Sequence, residues 1–253
     1  MDINQVPDWR LFVAAEVGDV TPNDSLLAQP GDLVVILTTM KVRDEGQLAF
    51  PKVSPYRLAL SIAIRSSQDA ATLRKGLNFT PRKRSKMRDL DIKSLPTLYD
   101  YFEQCMIAAT FSYQSLETYS NQVIEDNLPD TKTFVVHRKG EDRALDAAAL
   151  QRDPSTEEKV ATILPELVGK PLSKQSKLWQ QFTILRRVRD SIIHLKTADH
   201  RSAAELDLET VFYQLLNNAP AMYPRTAVEV MRHFVGPGEL SWLAHAEQRI
   251  TGK

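Results

Sequence analysis

Arg189, Asp190 and His194 lie close together in the run Arg186-Arg187-Val188-Arg189-Asp190-Ser191-Ile192-Ile193-His194. An arginine presents a permanently charged planar fork that fits a phosphate. A histidine carries the side chain whose ordinary pKa suits proton transfer near neutrality. Together these groups have the chemistry to cut RNA without a metal. The alternative reading of the same residues is a charged, solvated helix face.

The segment from about Gln175 to Thr197 is periodic enough to predict a helix. At ~100° per residue, Leu178, Phe182, Leu185, Val188, Ile192, Ile193 and Leu195 share one broad apolar arc. Arg189 falls near the middle of that arc, where a guanidinium is costly unless it meets an anion or a cleft. Asp190 and His194 fall beside the arc, one turn apart, so the carboxylate can accept from the imidazole and fix its tautomer. Arg186 precedes Asp190 by the same spacing, and an Arg186–Asp190 pair is the competing arrangement. Arg189 and His194, five apart, point ~140° away from each other on a regular helix. The length of the arginine side chain, helped by irregular geometry after Asp190, would bring its head round, and a second copy of the helix would complete a shared cleft across a two-fold axis. The second arrangement is the preferred expectation.

The elements around this helix divide the chain at about residue 90. Residues 1–90 predict a small α+β region: a strand or short helix over Leu11–Val17, a strand over Asp32–Thr38 pairing with Gln47–Val53, and a helix over Tyr56–Ile64. The basic run Arg82, Lys83, Arg84, Lys86 and Arg88 marks the boundary, as an exposed linker or as a patch that tracks RNA phosphates. Residues 91–253 predict a mainly α helical domain. Leu98, Phe102, Cys105, Ala109, Ser112, Leu116, Tyr119 and Val123 repeat at helical spacing over about seven turns, with Ser94 as a cap before Pro96. Glu117 and Asn121 stand one turn apart, off that stripe. A small hairpin turning at Lys139-Gly140-Glu141-Asp142 follows, with His137 on its first strand read as exposed or structural. Ser155 and Glu158 form a capping box opening a short helix that Pro165, Gly169 and Pro171 end. Further helices are predicted from about Leu206 to Asn217, from Arg225 to Phe234, and after Pro237-Gly238 to Arg249.

The chain has 253 residues, with Lys plus Arg and Asp plus Glu each totalling 32. Zero net charge gives no global attraction to nucleic acid or membrane, so any such binding must be local. The single cysteine, Cys105, cannot form an intramolecular disulfide and reads as a buried thiol. This fits a reducing, cytoplasmic setting. The N-terminus lacks a signal-peptide pattern, and no apolar run approaches the ~18 residues of a membrane span. No carboxylate and histidine spacing asks for a metal, and no pattern asks for a cofactor.

With these elements in place, the chain resembles the HEPN superfamily (higher eukaryote and prokaryote nucleotide-binding domain) over roughly Ser94 to Lys253. Such domains carry an Arg, usually a polar residue next, and a His four to six positions further on, as Arg189-Asp190 and His194 do. The long helix with Leu116-Glu117 and Asn121, the insertion after it, and Trp179, Phe182 and Leu185 before the motif extend the likeness. The resemblance implies a helical bundle that dimerises around the motif helix, and metal-independent endoribonuclease activity in the active members. It also implies a setting of toxin–antitoxin pairs or antiviral defence, with an antitoxin or defence protein as partner, while inactive members serve as binding modules. His194 is then the general acid or base at the ribose 2′-hydroxyl, Arg189 stabilises the phosphorane, and Asp190 orients His194. Glu117 and Asn121 are supporting positions.

Overall fold

A computed structural model describes residues 8–10, 13–16, 33–35, 37–44, 46–82, 88–138, 140–194, 210–235 and 240–251. Compactness divides the chain into Met1–Leu58 and Ala59–Lys253, a division that falls inside the first helix. The change of composition near residue 90 is a separate property of the chain.

In the first unit β1 (Val13–Glu16) pairs antiparallel with β2 (Leu33–Val35), and β3 (Leu37–Val42) pairs antiparallel with β4 (Gly46–Pro51). The strand expected over Asp32–Thr38 is therefore divided between two hairpins, with Ile36 outside the described residues. The hairpin expected with Gln47–Val53 forms from β3 and β4, Met40 facing Leu48. Gly46 closes its turn at φ 78°, a left-handed conformation that glycine adopts without steric penalty.

α1 (Pro55–Lys75) contains the helix expected over Tyr56–Ile64 and runs well beyond it. Proline at its first position has no N–H to leave unpaired, and Arg74 and Lys75 face the negative end of the helix dipole. β5 (Phe79–Pro81) and β6 (Arg88–Leu90) then pair across the basic run. That hairpin has no apolar alternation in the sequence and was not expected.

α2 (Leu95–Asn127) has 33 residues, longer than its apolar stripe predicts. Cys105, Ala109, Ser112, Leu116, Tyr119 and Val123 are buried as expected, joined by Tyr101, Tyr113 and Ile124. Ser94 stands at its N-cap but makes no side-chain cap bond, because a short 3-10 turn (Ile92–Ser94), capped by Asp91, leads into the helix. Buried Ser115 and Ser120 return their hydroxyls to Ser112 O and Leu116 O at 2.7 Å, whereas the buried Ser112 hydroxyl finds no partner among the described residues.

The inserted hairpin is β7 (Phe134–Arg138) with β8 (Glu141–Leu145), turning at Gly140. α3 (Ala147–Arg152) follows, capped by Asp146. Ser155 caps α4 (Thr156–Glu158) by accepting from the Glu158 N–H, as the capping box predicts. Contrary to expectation, Pro165 does not help end this helix. The chain widens into a π-helical stretch (Lys159–Ile163) and continues as α5 (Leu164–Val168). Proline lacks the N–H for a regular bond and its ring crowds the carbonyl four residues back; the wider turn removes the clash. Gly169, at φ 68°, ends it.

α6 (Lys177–Ile193) is capped by Ser176 and buries Trp179, Phe182, Leu185 and Val188. Phe182 and Leu185 are fully buried and contribute about 1.5–3 kcal/mol each. The buried arc is narrower than expected: Leu178 and Ile192 are half-buried, Ile193 is 51% exposed, and Leu195 lies outside the described residues. α7 (Val211–Asn217) lies within the helix expected from Leu206 to Asn217, of which residues 206–209 lie outside the described residues. α8 (Met222–Phe234) and α9 (Leu240–Thr251) complete the chain. The second unit is a helical bundle in which α2 packs on α6 and α8, α6 on α8, and α8 on α9. α3, α4 and α5 lie against α2. Tyr119 ties α2 to α8 through Met231 O at 3.2 Å, and Tyr101 ties it to α7 through Leu215 O at 2.6 Å. No helix among the described residues is long and apolar enough to cross a membrane.

Candidate functional site

α2, α4 and α6 meet where the sequence places its chemistry. The packing of α6 on α2 sets Phe182 against Tyr113, their rings near-parallel at 6.3 Å. Two turns along α6, the Arg189 guanidinium lies 5.0 Å from the centre of the same Tyr113 ring. This is how the apolar arc accommodates a cation: a ring face takes the place of solvent. Arg189 also donates from Nη1 to Asp190 Oδ1 at 3.0 Å, the two side chains being 31% and 47% exposed.

Asp190 thus adopts neither arrangement open to it from the sequence. Its carboxylate takes Arg189 rather than the His194 imidazole, and Arg186 pairs instead with Glu157 on α4. Drawn onto the Tyr113 ring, the guanidinium of Arg189 comes within reach of the neighbouring carboxylate. Glu157, in the first turn of α4, is the acid that faces Arg186.

His194 is not within the helix. α6 ends at Ile193, and His194 is its C-cap at φ −120° and ψ 66°, exposed, its backbone N–H donating to Asp190 O at 2.9 Å. The intervening residues are helical and the His194 N–H still bonds Asp190 O, so the His194 Cα keeps the five-residue offset from Arg189 of a regular helix. The backbone after Asp190 stays helical for three residues and then turns away. Within one chain the structure brings Arg189 and Asp190 together and sets His194 at the adjoining helix end.

Glu117 and Asn121 lie one and two turns beyond Tyr113 on α2 and meet a residue that the sequence does not single out. Lys159, 1% exposed, donates from Nζ to Asn121 Oδ1 at 2.7 Å and to the carbonyl of Gln151. Burial holds the Lys159 ammonium below its usual pKa, with Glu117 pulling in the opposite direction. Burial likewise raises the Tyr113 phenol; Thr156 and Arg189 counter the rise, and Asp190 and Glu117 add to it. Tyr113, Glu117 and Asn121 form an i, i+4, i+8 series, a spacing legible in the sequence once Tyr113 is included. A buried Lys159 is not legible, because its acceptors, Asn121 Oδ1 and the carbonyl of Gln151, come from other elements that meet only in the fold.

Of the basic run, Arg82 and Arg88 are exposed, Arg82 lying 3.2 Å from Asp89, while Lys83, Arg84 and Lys86 lie outside the described residues. His137 is exposed and pairs with Asp142 at 2.5 Å, which raises its pKa through the hydrogen bond. Among the described residues, no three His, Cys, Asp or Glu side chains cluster as a metal site requires. Cys105 is buried, and burial pushes its thiol up to about 11. Comparison with protein-family models, with curated proteins and with solved structures gives no match.

Proposed function

We propose that the protein is a metal-independent endoribonuclease of the HEPN type, acting as a homodimer through α6 in a toxin–antitoxin or antiviral defence setting. One observation carries the reading: a half-exposed guanidinium braced on an aromatic ring, with an exposed histidine at the end of the same helix. In this mechanism His194 takes the proton of the ribose 2′-hydroxyl as its oxygen attacks phosphorus. The 5′-oxygen leaves with a proton, supplied by a histidinium, and a 2′,3′-cyclic phosphate remains. Arg189 balances the charge that builds on the phosphorane oxygens. A second α6 across a two-fold axis would bring the partner copy's imidazole to this guanidinium. Incubation of the purified protein with mixed RNA in EDTA tests the proposal, with cyclic phosphate ends as the readout. Cleavage that survives both Arg189→Ala and His194→Ala refutes it.

A second reading is favoured by the partner that Asp190 takes. With its carboxylate on Arg189 and not on His194, the site also suits an inactive helical interaction or nucleotide-binding protein. On that reading the RNA stays intact, and Arg189→Ala changes the oligomeric state seen by sedimentation.

A further inference from the structure

The first turns of α2 and the start of α7 enclose an open groove of about 620 Å³, lined by Tyr99, Phe102, Glu103, Met106, Ile107 and Phe212. Phe102 and Phe212 form its base, their rings 5.0 Å apart and tilted by 58°. Tyr99 is 64% exposed and Phe212 39%, large apolar groups that the described residues leave uncovered. Isolated exposed apolar side chains are ordinary; several sharing one concavity mark a binding surface.

Charge identifies the occupant. α2 carries Asp100, Glu103, Glu117, Glu125 and Asp126, and no lysine or arginine in its 33 residues. Glu103 lines the groove and is exposed, Asp100 is exposed nearly one turn before it on α2, and α7 has no charged residue to balance them. An apolar floor with an acidic edge repels nucleic acid, and two copies set groove to groove would bring like charges together. Tyr99 to Ile107 spans ~12 Å along the helix, close to the ~10.5 Å between positions i and i+7 of a bound helix. We propose that this groove docks a basic amphipathic helix of a partner protein, its apolar residues at i, i+3 or i+4, and i+7 seated on Phe102, Met106 and Phe212, and its Lys or Arg residues beside Asp100 and Glu103.

Two synthetic amphipathic peptides of about 18 residues, one Leu/Lys and one Leu/Glu with the same apolar pattern, test this on the full-length protein by fluorescence anisotropy. The Leu/Lys peptide binds at least about tenfold more tightly, and Glu103→Lys or Tyr99→Ala weakens it by about three- to tenfold. Both side chains are exposed, so the substitutions spare the core. Asp126→Lys, at the far end of α2, leaves binding unchanged. Equal binding of the two peptides, no binding of either, or an Asp126→Lys effect as large as that of Glu103→Lys overturns the proposal. So does a dimer in sedimentation velocity that Phe212→Glu dissociates, which assigns the groove to a second copy.

Discussion

Asp190→Asn separates the roles open to this carboxylate. In the structure Asp190 competes with any incoming phosphate for Arg189, the two side chains meeting at 3.0 Å while 31% and 47% exposed. An ion pair that open to solvent is worth about 0.5–1 kcal/mol. Removing the competing charge should therefore tighten phosphate binding by about two- to fivefold. The assay is anisotropy of a labelled single-stranded RNA at low salt in a His194→Ala background, where cleavage does not interfere. Asp126→Asn removes the same charge from the far end of α2 and serves as the control for a general electrostatic effect. The advantage should shrink as salt rises, since the freed guanidinium adds one phosphate contact. If Asp190→Asn leaves RNA affinity unchanged or weakens it, the carboxylate does not restrain Arg189. A loss of cleavage in the His194-containing protein, with no gain in affinity, would instead assign Asp190 to orienting the histidine.

Lys159→Met removes a buried ammonium and strands two acceptors, Asn121 Oδ1 and the carbonyl of Gln151, so urea unfolding at pH 7 should show a loss of about 1–3 kcal/mol. The folded Lys159 holds its proton less tightly than the unfolded chain, whose lysine titrates at its usual 10.5. Between the lowered value and 10.5 the unfolded state binds more protons, so the stability margin of wild type over Lys159→Met widens as pH rises through that window. An equal margin at pH 7 and pH 10 would contradict the burial of this charge. Cys105, buried and with its thiol pushed up to about 11, should resist a thiol reagent in the native protein at pH 8 and react in urea; rapid native labelling would show the α2 core to be open.

Much of the scaffold is legible without coordinates because it rests on local rules. The four- and three-residue spacing from Cys105 to Val123 specifies a buried helix face, Ser155 and Glu158 specify a cap, and Gly140 a hairpin turn; each forms. The hairpin β5–β6 was not legible, since its short strands lack alternation, and neither was the continuation past Pro165, since a proline ends a helix only when the backbone cannot widen around it.

The sequence by itself determined that a cation, a carboxylate and an imidazole would lie at one end of one helix, because helix period and capping are properties of neighbouring residues. Only the tertiary structure decided their partners. Tyr113 comes from α2 and Glu157 from α4, far from α6 in the chain, and their arrival takes Arg189 onto a ring and Arg186 onto another acid. The same packing buries Lys159 against Asn121. Long side chains choose among nearby charges by distance and desolvation, and both are fixed only when separate helices meet.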